Sequence, residues 1–322
     1  MVVQYSPRVS VLVPMRNAEP FIVAALLSIL HEQEVPIEVV IINDNSTDRS
    51  LEMVLRIRDE RICILGGPGT GISDCLNVGL AAAKGDIIMR CDADDLYSPG
   101  RIKEQVTWLD ANMEYDAVCG GFSAMDIAGR LLTKLATGDT AVDITGELNS
   151  GKTRTTFCSY AVRRATLQGV GGFRPYFVTA EDIDFQLRLG EVAKVMYLPR
   201  SCYIYRVHSA SITHTQGNML RDFFENTARQ FQLQRKASGE DDLQRGCQPK
   251  PPEAQSDKPG IAAQQIHGLL ISAAWSTHAA GSRFKALGLG CRALMRSPRN
   301  LGLWRSFLAL LVKPTKNARK ML

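Results

Sequence analysis

The last 65 residues of the chain lack acidic side chains altogether. Between Lys258 and Leu322 there is no Asp or Glu, whereas eleven Lys and Arg occur there. The whole chain has 38 basic and 33 acidic residues, which leaves 27 basic against 33 acidic residues in 1–257. Residues 1–257 are therefore net acidic, whereas residues 258–322, here called the basic tail, are net basic. Few aromatic residues alternate with the basic ones and no recognised module is present, which argues against a nucleic-acid partner.

The sequence also lacks the cysteine spacings and long apolar runs that mark other protein classes. Its eight cysteines are scattered without a CxxC pair, which disfavours a zinc site or disulfide framework and favours a reducing compartment. No uninterrupted apolar run approaches the ~20 residues that span a bilayer. The first residues, MVVQYSPRVSVLVP, contain no positively charged segment before a longer apolar stretch. We therefore expect a cytoplasmic protein without a signal peptide.

Strand and helix patterns alternate through the first 120 residues. Short β-rich runs are separated by segments with apolar residues at helical spacing. Strands linked by helices require right-handed crossovers and a mostly parallel sheet. The pattern predicts an α/β fold, an open α/β/α sandwich with a mostly parallel central sheet. The predicted strands are Val9–Val13, Glu38–Ile42, Arg61–Leu65 and Asp86–Arg90.

Polar loops follow three of these strands. They read PMRN at 14–17, NDNS at 43–46 and CDADD at 91–95. Ligands of open parallel sheets bind beyond the carboxyl ends of the strands, so these loops are expected to share one rim. Crowded carboxylates repel one another unless a hard cation such as Mg²⁺ joins them, usually together with substrate phosphates. For CDADD alone, an acidic turn that caps the next helix is the alternative.

The ordered set of motifs resembles family 2 glycosyltransferases of the GT-A fold. The resemblance covers about residues 8–210 and rests on VSVLVPMRN, SILHEQ, EVVIINDNSTDRS, GDIIMRCDADDLYSPGRI, GGFRPYFVTAEDIDFQLRLG and YIYRVHSAS. It implies transfer of a sugar from a nucleotide-diphosphate donor, usually with inversion at the anomeric carbon. It also implies a GT-A catalytic domain over 1–215, with a nucleotide-sugar half to about residue 120 and an acceptor half after it.

The resemblance assigns the donor-binding residues by position. Pro14, Arg16 and Asn17 would line the base and ribose, and Asp44 would hydrogen-bond the base. Arg16 stands where the family often has an aromatic residue, although a guanidinium can also stack on a base. Asp92 would face the ribose or the donor sugar.

The resemblance likewise implies a Mg²⁺ or Mn²⁺ ion at the same rim. Asp94 would be its direct ligand, and Asp95 would cap or orient the loop. His208 stands where some relatives bring a histidine to the metal or the diphosphate. A structural role for this single histidine remains the alternative.

Glu181 and Asp182 begin a predicted helix, AEDIDFQLRL. Acidic residues in a first turn are stabilised by the helix dipole, which is the purely structural explanation. The resemblance instead assigns Asp182 as the general base and Glu181 as its neighbour near the acceptor. A hydroxyl that attacks the anomeric carbon must lose a proton, and a carboxylate can accept it.

The resemblance therefore implies an inverting, metal-assisted glycosyltransferase of hexosyltransferase type. A UDP-sugar is the expected donor and a saccharide or lipid-linked hydroxyl the acceptor, in cell-surface polysaccharide or glycolipid synthesis. One alternative is a catalytically inactive sugar-nucleotide-binding or scaffold protein. Another is a sugar-phosphate nucleotidyltransferase, but that enzyme would need a glycine-rich basic loop where residues 14–17 stand.

Residues 216–322 are predicted as a helical C-terminal region with a polar linker or loop at about 235–260. Its basic helices also carry Trp and Leu, a combination that can lie on an anionic bilayer surface. Packing of these helices on the catalytic domain is the alternative. The sequence favours peripheral contact with the inner face of the membrane.

Overall fold

A computed structural model describes residues 6–135, 140–208, 218–252, 262–279 and 281–313. Its central sheet has ten strands in the order β3-β2-β1-β4-β9-β6-β10-β5, with β7 beside β6 and β8 beside β10. The strands are β1 Val9–Met15, β2 Ile37–Asn43, β3 Ile62–Gly66, β4 Ile87–Arg90, β5 Leu96–Tyr97, β6 Ala117–Asp126, β7 Leu131–Leu135, β8 Val142–Asp143, β9 Ala161–Arg163 and β10 Val195–Val207.

Helices cover the sheet and follow most of its strands. In the described residues they are α1 Ile22–Leu30, α2 Ser50–Leu55, α3 Ile72–Ala82, α4 Arg101–Ala111, α5 Thr145–Asn149, α6 Arg164–Gly169, α7 Glu181–Val192, α8 Asn218–Ser238, α9 Ala262–Ala279, α10 Arg283–Arg296 and α11 Leu301–Val312. A short 3₁₀ helix spans Phe157–Ser159.

The first four strands form the parallel sheet that their sequence pattern predicts. Strand β1 lies between β2 and β4 and is parallel to both. Successive side chains of a strand point to opposite faces. Val11 accordingly packs in the core that contains α1 residues, whereas Leu12 packs in the core that contains α3 residues. Both faces of the sheet are thus covered by helices, and the predicted α/β/α sandwich is confirmed.

The later strands add antiparallel pairs to this sheet. Strand β9 is antiparallel to β4 and to β6, and β5 is antiparallel to β10. The last pairing sets Tyr203 opposite Tyr97. Residues from the second half of the chain are thereby brought beside the segment that follows β4.

The chain divides into two compact units. The first contains the described residues up to Phe122, residues 140–205 and residues 218–252, and the second contains Ser123–Leu135, residues 206–208 and the described residues after 261. In the second unit, α9, α10 and α11 share a core of Leu270, Ala293, Leu294 and Leu303. Among the described residues, no helix combines the length and apolar character needed to cross a bilayer.

Candidate active site

Three loops meet where β1, β2 and β4 end. The parallel register pairs Met15 of β1 with Asn43 of β2, and Leu12 with Arg90 of β4. The first two loops are also joined by hydrogen bonds, since Asn17 N donates to Ser46 Oγ at 3.1 Å and Thr47 N donates to Asn17 Oδ1 at 2.7 Å. The strand-end residues chosen from the sequence therefore lie along one edge of the sheet.

Asp44 is buried in the second of these loops. Its Oδ1 accepts a hydrogen bond from Gly69 N at 2.7 Å, and its Oδ2 lies 3.8 Å from Arg16 Nη1. The Arg16 side chain is largely exposed, whereas Pro14 is buried within β1. A Cβ atom at Gly67 would lie 2.9 Å from Asp44 Cα. The glycine-rich turn after β3 therefore packs directly on the Asp44 loop.

The CDADD loop after β4 is supported from β10. Tyr203 Oη donates to Asp95 Oδ2 at 2.7 Å and accepts a hydrogen bond from Asp92 N at 3.1 Å. Tyr97 Oη donates to Arg90 O at 2.9 Å. Asp95 is 1% exposed, so this carboxylate supports the loop, whereas Asp94 is half-buried in its turn.

Arg90 joins this loop to α7, a role that sequence reasoning did not assign. Its Nε lies 2.6 Å from Asp92 Oδ1 and its Nη2 3.2 Å from Asp92 Oδ2, while its Nη1 lies 3.0 Å from Glu181 Oε1. Burial disfavours the charge, but Asp92 and Glu181 raise the pKa of Arg90 well above its ordinary value. The sequence does contain a signal for this role, since Arg90 is a cation at the end of an apolar strand. A buried charge at such a position needs a partner of opposite charge.

Glu181 and Asp182 form the first turn of α7. Ala180, just before them, has a left-handed backbone with φ of 57°. Burial raises the pKa of both carboxyl groups, and the charge of Arg90 opposes this rise. Arg221 of α8 also lowers the pKa of Asp182. A half-buried carboxylate with a raised pKa is suited to accept a proton.

The segment before α7 is held by Asn77 of α3. Asn77 Nδ2 donates to Phe173 O at 2.7 Å, and Phe173 N donates to Asn77 Oδ1 at 2.8 Å. Within α7, the buried Asp184 accepts hydrogen bonds from Arg174 Nε at 3.0 Å and Arg188 Nε at 2.9 Å. These contacts fix the start of α7 relative to the sheet.

A divalent ion bound at this edge of the sheet would need oxygen ligands from a bound substrate in addition to those of the protein. Within the described ranges, no group of three or more His, Cys, Asp and Glu side chains is arranged to hold a metal ion. Mg²⁺ is commonly held by one or two carboxylates plus substrate phosphates, and a half-buried Asp94 fits that pattern. His208 directly follows β10 in the second unit and is buried.

Residues 10–161 match the sequence model of the family described as Glycosyl transferase family 2. The uncharacterized glycosyltransferase EpsJ of Bacillus subtilis (strain 168) is 29% identical over 248 residues, which are 70% of this chain and 68% of EpsJ. Chondroitin synthase of Pasteurella multocida (strain Pm70) is 28% identical over 207 residues, 63% of this chain but 21% of that enzyme.

A third relative is covered over a shorter stretch. An uncharacterized glycosyltransferase of Haemophilus influenzae (strain ATCC 51907 / DSM 11121 / KW20 / Rd) is 30% identical over 140 residues, which are 42% of this chain. The match spans 55% of that relative.

Two solved structures have a similar fold. S. aureus TarS 1-349 in complex with UDP-GlcNAc has a TM-score of 0.57 at 18% identity, over 94% of this chain and 90% of that one. Mannosyltransferase PcManGT from Pyrobaculum calidifontis, in complex with GDP-Man and Mn²⁺, has a TM-score of 0.52 at 21% identity, over 99% and 84%. At these identities the likeness concerns the fold.

Proposed function

Because the chain belongs to glycosyl transferase family 2, we propose that it transfers a sugar, with inversion, from a nucleotide-diphosphate donor to a hydroxyl group. The acceptor is a saccharide or a lipid-linked saccharide of cell-surface polysaccharide or glycolipid synthesis. One observation carries the proposal: Arg90 bridges Asp92, in a loop at the carboxyl edge of the sheet, and Glu181, next to a candidate base. This shared contact supports the proposal, because the carboxylate that we assign to the donor and the neighbour of the base that we assign to the acceptor lie on one cation.

The donor lies against the loops after β1, β2 and β4. Pro14, Arg16, Asn17 and Asp44 contact the base and ribose, with the exposed guanidinium of Arg16 beside the Asp44 carboxylate. Asp92 faces the ribose or donor sugar. The two structural neighbours bind UDP-GlcNAc and GDP-Man, which supports a nucleotide sugar as donor, and a UDP-sugar is our first choice.

Asp94 would hold a Mg²⁺ or Mn²⁺ ion together with the donor diphosphate, and His208 is a second candidate ligand. When bound, such an ion would supply positive charge beside the leaving nucleoside diphosphate. A half-buried carboxylate in a turn is compatible with such a shared site. The complex of PcManGT contains Mn²⁺, which supports this choice of ion.

Asp182 accepts the proton of the acceptor hydroxyl as its oxygen attacks the anomeric carbon. The bond from that carbon to the diphosphate oxygen breaks, and the electron pair leaves with the nucleoside diphosphate. Attack from the face opposite the leaving group inverts the anomeric centre. Glu181, hydrogen-bonded to Arg90 at 3.0 Å, fixes the first turn from which Asp182 projects.

The donor proposal predicts metal-dependent nucleotide binding. Isothermal titration with UDP and with GDP, each with and without Mn²⁺, should give at least about tenfold tighter binding when Mn²⁺ is present, because the ion neutralises the diphosphate. UDP should bind more tightly than GDP. Absence of binding to both nucleotides would contradict a nucleotide-diphosphate donor, and a parallel screen of nucleotide sugars for donor hydrolysis should identify the sugar.

We also propose that the enzyme contacts the inner face of the membrane through its basic tail. Helix α11 exposes an apolar stripe, defined by Leu301, Trp304, Leu308 and Leu311, on the side opposite the buried Leu303 and Leu310. Arg305 lies within this exposed side. Because residues 258–322 contain no acidic side chain, an anionic lipid surface complements the stripe in both charge and polarity.

Removal of the stripe should abolish membrane binding. The triple variant Leu301→Ser, Trp304→Ser, Leu308→Ser should lose flotation with vesicles that contain anionic phosphatidylglycerol, because these side chains supply the inserted apolar area. The matched control replaces Val192 and Leu233, which are 68% and 66% exposed in the first unit, by Ser. Unchanged flotation of the triple variant would refute membrane contact. If the wild type eluted from a sizing column as a dimer and the triple variant as a monomer, a second copy of the chain would be the partner of the stripe.

A further inference from the structure

Arg90 is a buried cation that contacts carboxylates from two distant parts of the chain. Its side chain is 7% exposed and uses three nitrogen atoms, two on Asp92 and one on Glu181. Asp92 and Glu181 belong to the loop after β4 and to the first turn of α7. The planar guanidinium suits this arrangement, because it can bind one carboxylate through two parallel bonds and still donate elsewhere.

We infer that Arg90 is a positioning residue that aligns the donor loop with the acceptor base by holding Asp92 and Glu181 on one guanidinium. The inference rests on the proposed function and deepens it. Asp182 follows Glu181 directly, so the position of the Glu181 carboxylate limits where the base can lie. A misplacement of about 1 Å between reacting groups can cost about 100-fold in rate.

Among the described residues, Arg90 forms ion pairs with both carboxylates, Asp92 and Glu181. Asp92 Oδ2 also accepts a weak hydrogen bond from Cys158 Sγ at 3.5 Å, but a thiol brings no positive charge. Removal of one partner from a buried ion pair leaves an uncompensated charge, which is strongly unfavourable. Without Arg90, Asp92 and Glu181 would repel one another, and the loop and the helix turn would separate or take up water.

The charge of Arg90 also acts on Asp182. The charged and titratable groups that act on Asp182 among the described residues include Arg90 from β4, Asp92 from the loop after it, Cys158 from the 3₁₀ helix, Tyr160 just after that helix, Arg221 from α8 and its neighbour Glu181. Burial raises the pKa of Asp182, whereas Arg90 is the larger of the two cationic influences that lower it. Loss of Arg90 therefore raises the pKa of Asp182 further, which moves the acid side of the activity profile to higher pH.

The test compares Arg90→Gln, Arg90→Lys and the control Arg61→Gln. Arg61 is a partly buried arginine that binds Asp59 and the carbonyl oxygens of Leu30 and Glu32, outside the site. In Arg90→Gln, kcat should fall about 100-fold, and the acid limb of the profile of kcat against pH should move to higher pH. Arg90→Lys should keep the wild-type pH profile, because lysine retains the positive charge. It should not reach the full kcat, because an ammonium group lacks the planar set of N–H donors with which a guanidinium binds two carboxylates. Arg61→Gln should keep the wild-type kcat and the wild-type pH profile.

A second measurement does not depend on activity. Hydrogen–deuterium exchange of the amides of 92–95 and 181–184 should accelerate together in Arg90→Gln and stay unchanged in Arg61→Gln. Unchanged exchange in either segment would overturn the inference, even if no donor sugar were turned over. An active wild-type enzyme with a fully active Arg90→Gln variant would overturn it while leaving the proposed function intact.

Discussion

Asp182→Asn is expected to abolish sugar transfer while it preserves donor binding. General-base catalysis contributes roughly 10²- to 10⁴-fold, and an amide of the same shape cannot accept the acceptor proton. The measurement is the release of nucleoside diphosphate in the presence of acceptor, together with titration of UDP and Mn²⁺. The fall should appear in kcat, and the affinity for the nucleotide should stay close to that of the wild type.

The control for Asp182→Asn is Glu104→Gln. Glu104 is also an acidic first-turn residue, in α4, where it pairs with Arg200 at 2.7 Å. If a first-turn carboxylate mattered merely for helix stability, worth about 0.3–1 kcal/mol, both variants should lose stability and neither should lose transfer. Full activity of Asp182→Asn would remove it as the base.

The pH dependence of the wild-type enzyme follows from the same residue. A base must be ionised, so transfer is lost as pH falls through the pKa of Asp182. Because burial raises the pKa of this carboxyl above its ordinary value, the loss should begin at a higher pH than an exposed aspartate would give. A profile of kcat against pH for Asp182→Asn, measured on its residual activity, should lack this limb.

Asp94→Ala should remove both turnover and the effect of Mn²⁺ on nucleotide binding. Loss of groups that merely support a metal ligand costs about 10- to 100-fold in metal affinity or activity, so loss of the ligand itself should cost at least about 100-fold. Titration of UDP with and without Mn²⁺ should then give nearly equal affinities. The residual affinity should match that of the wild type measured without metal.

Asp95→Asn provides the comparison within the same loop. Asp95 accepts its hydrogen bond from Tyr203 Oη, and the amide oxygen of Asn can accept the same bond. This variant should therefore keep the metal effect and most of the activity. If Asp94→Ala and Asp95→Asn behaved alike, or if Asp94→Ala kept its response to Mn²⁺, the assignment of Asp94 as the metal ligand would be wrong.

Local patterns predicted the parallel part of the fold well. Strand β1 begins at Val9 as expected, and its seven residues are all buried, because a strand covered on both faces reads as one apolar run. Strand β10, by contrast, is continuous over Val195–Val207. Its partners lie in distant segments such as β5 and β8, and these pairings are set by the whole sheet.

The sequence by itself determined that Asp44, Asp92 and Asp94 follow the ends of strands and that Asp182 lies in a first helical turn. Those placements follow from the spacing of apolar residues over a few positions, which is a local property of the sequence. The tertiary structure alone decided which groups these carboxylates meet. Arg90 contacts Glu181 across 91 positions, and Tyr203 reaches Asp95 across 108. Such contacts arise only when distant strands pair and neighbouring loops close on one edge, so no local pattern could predict them.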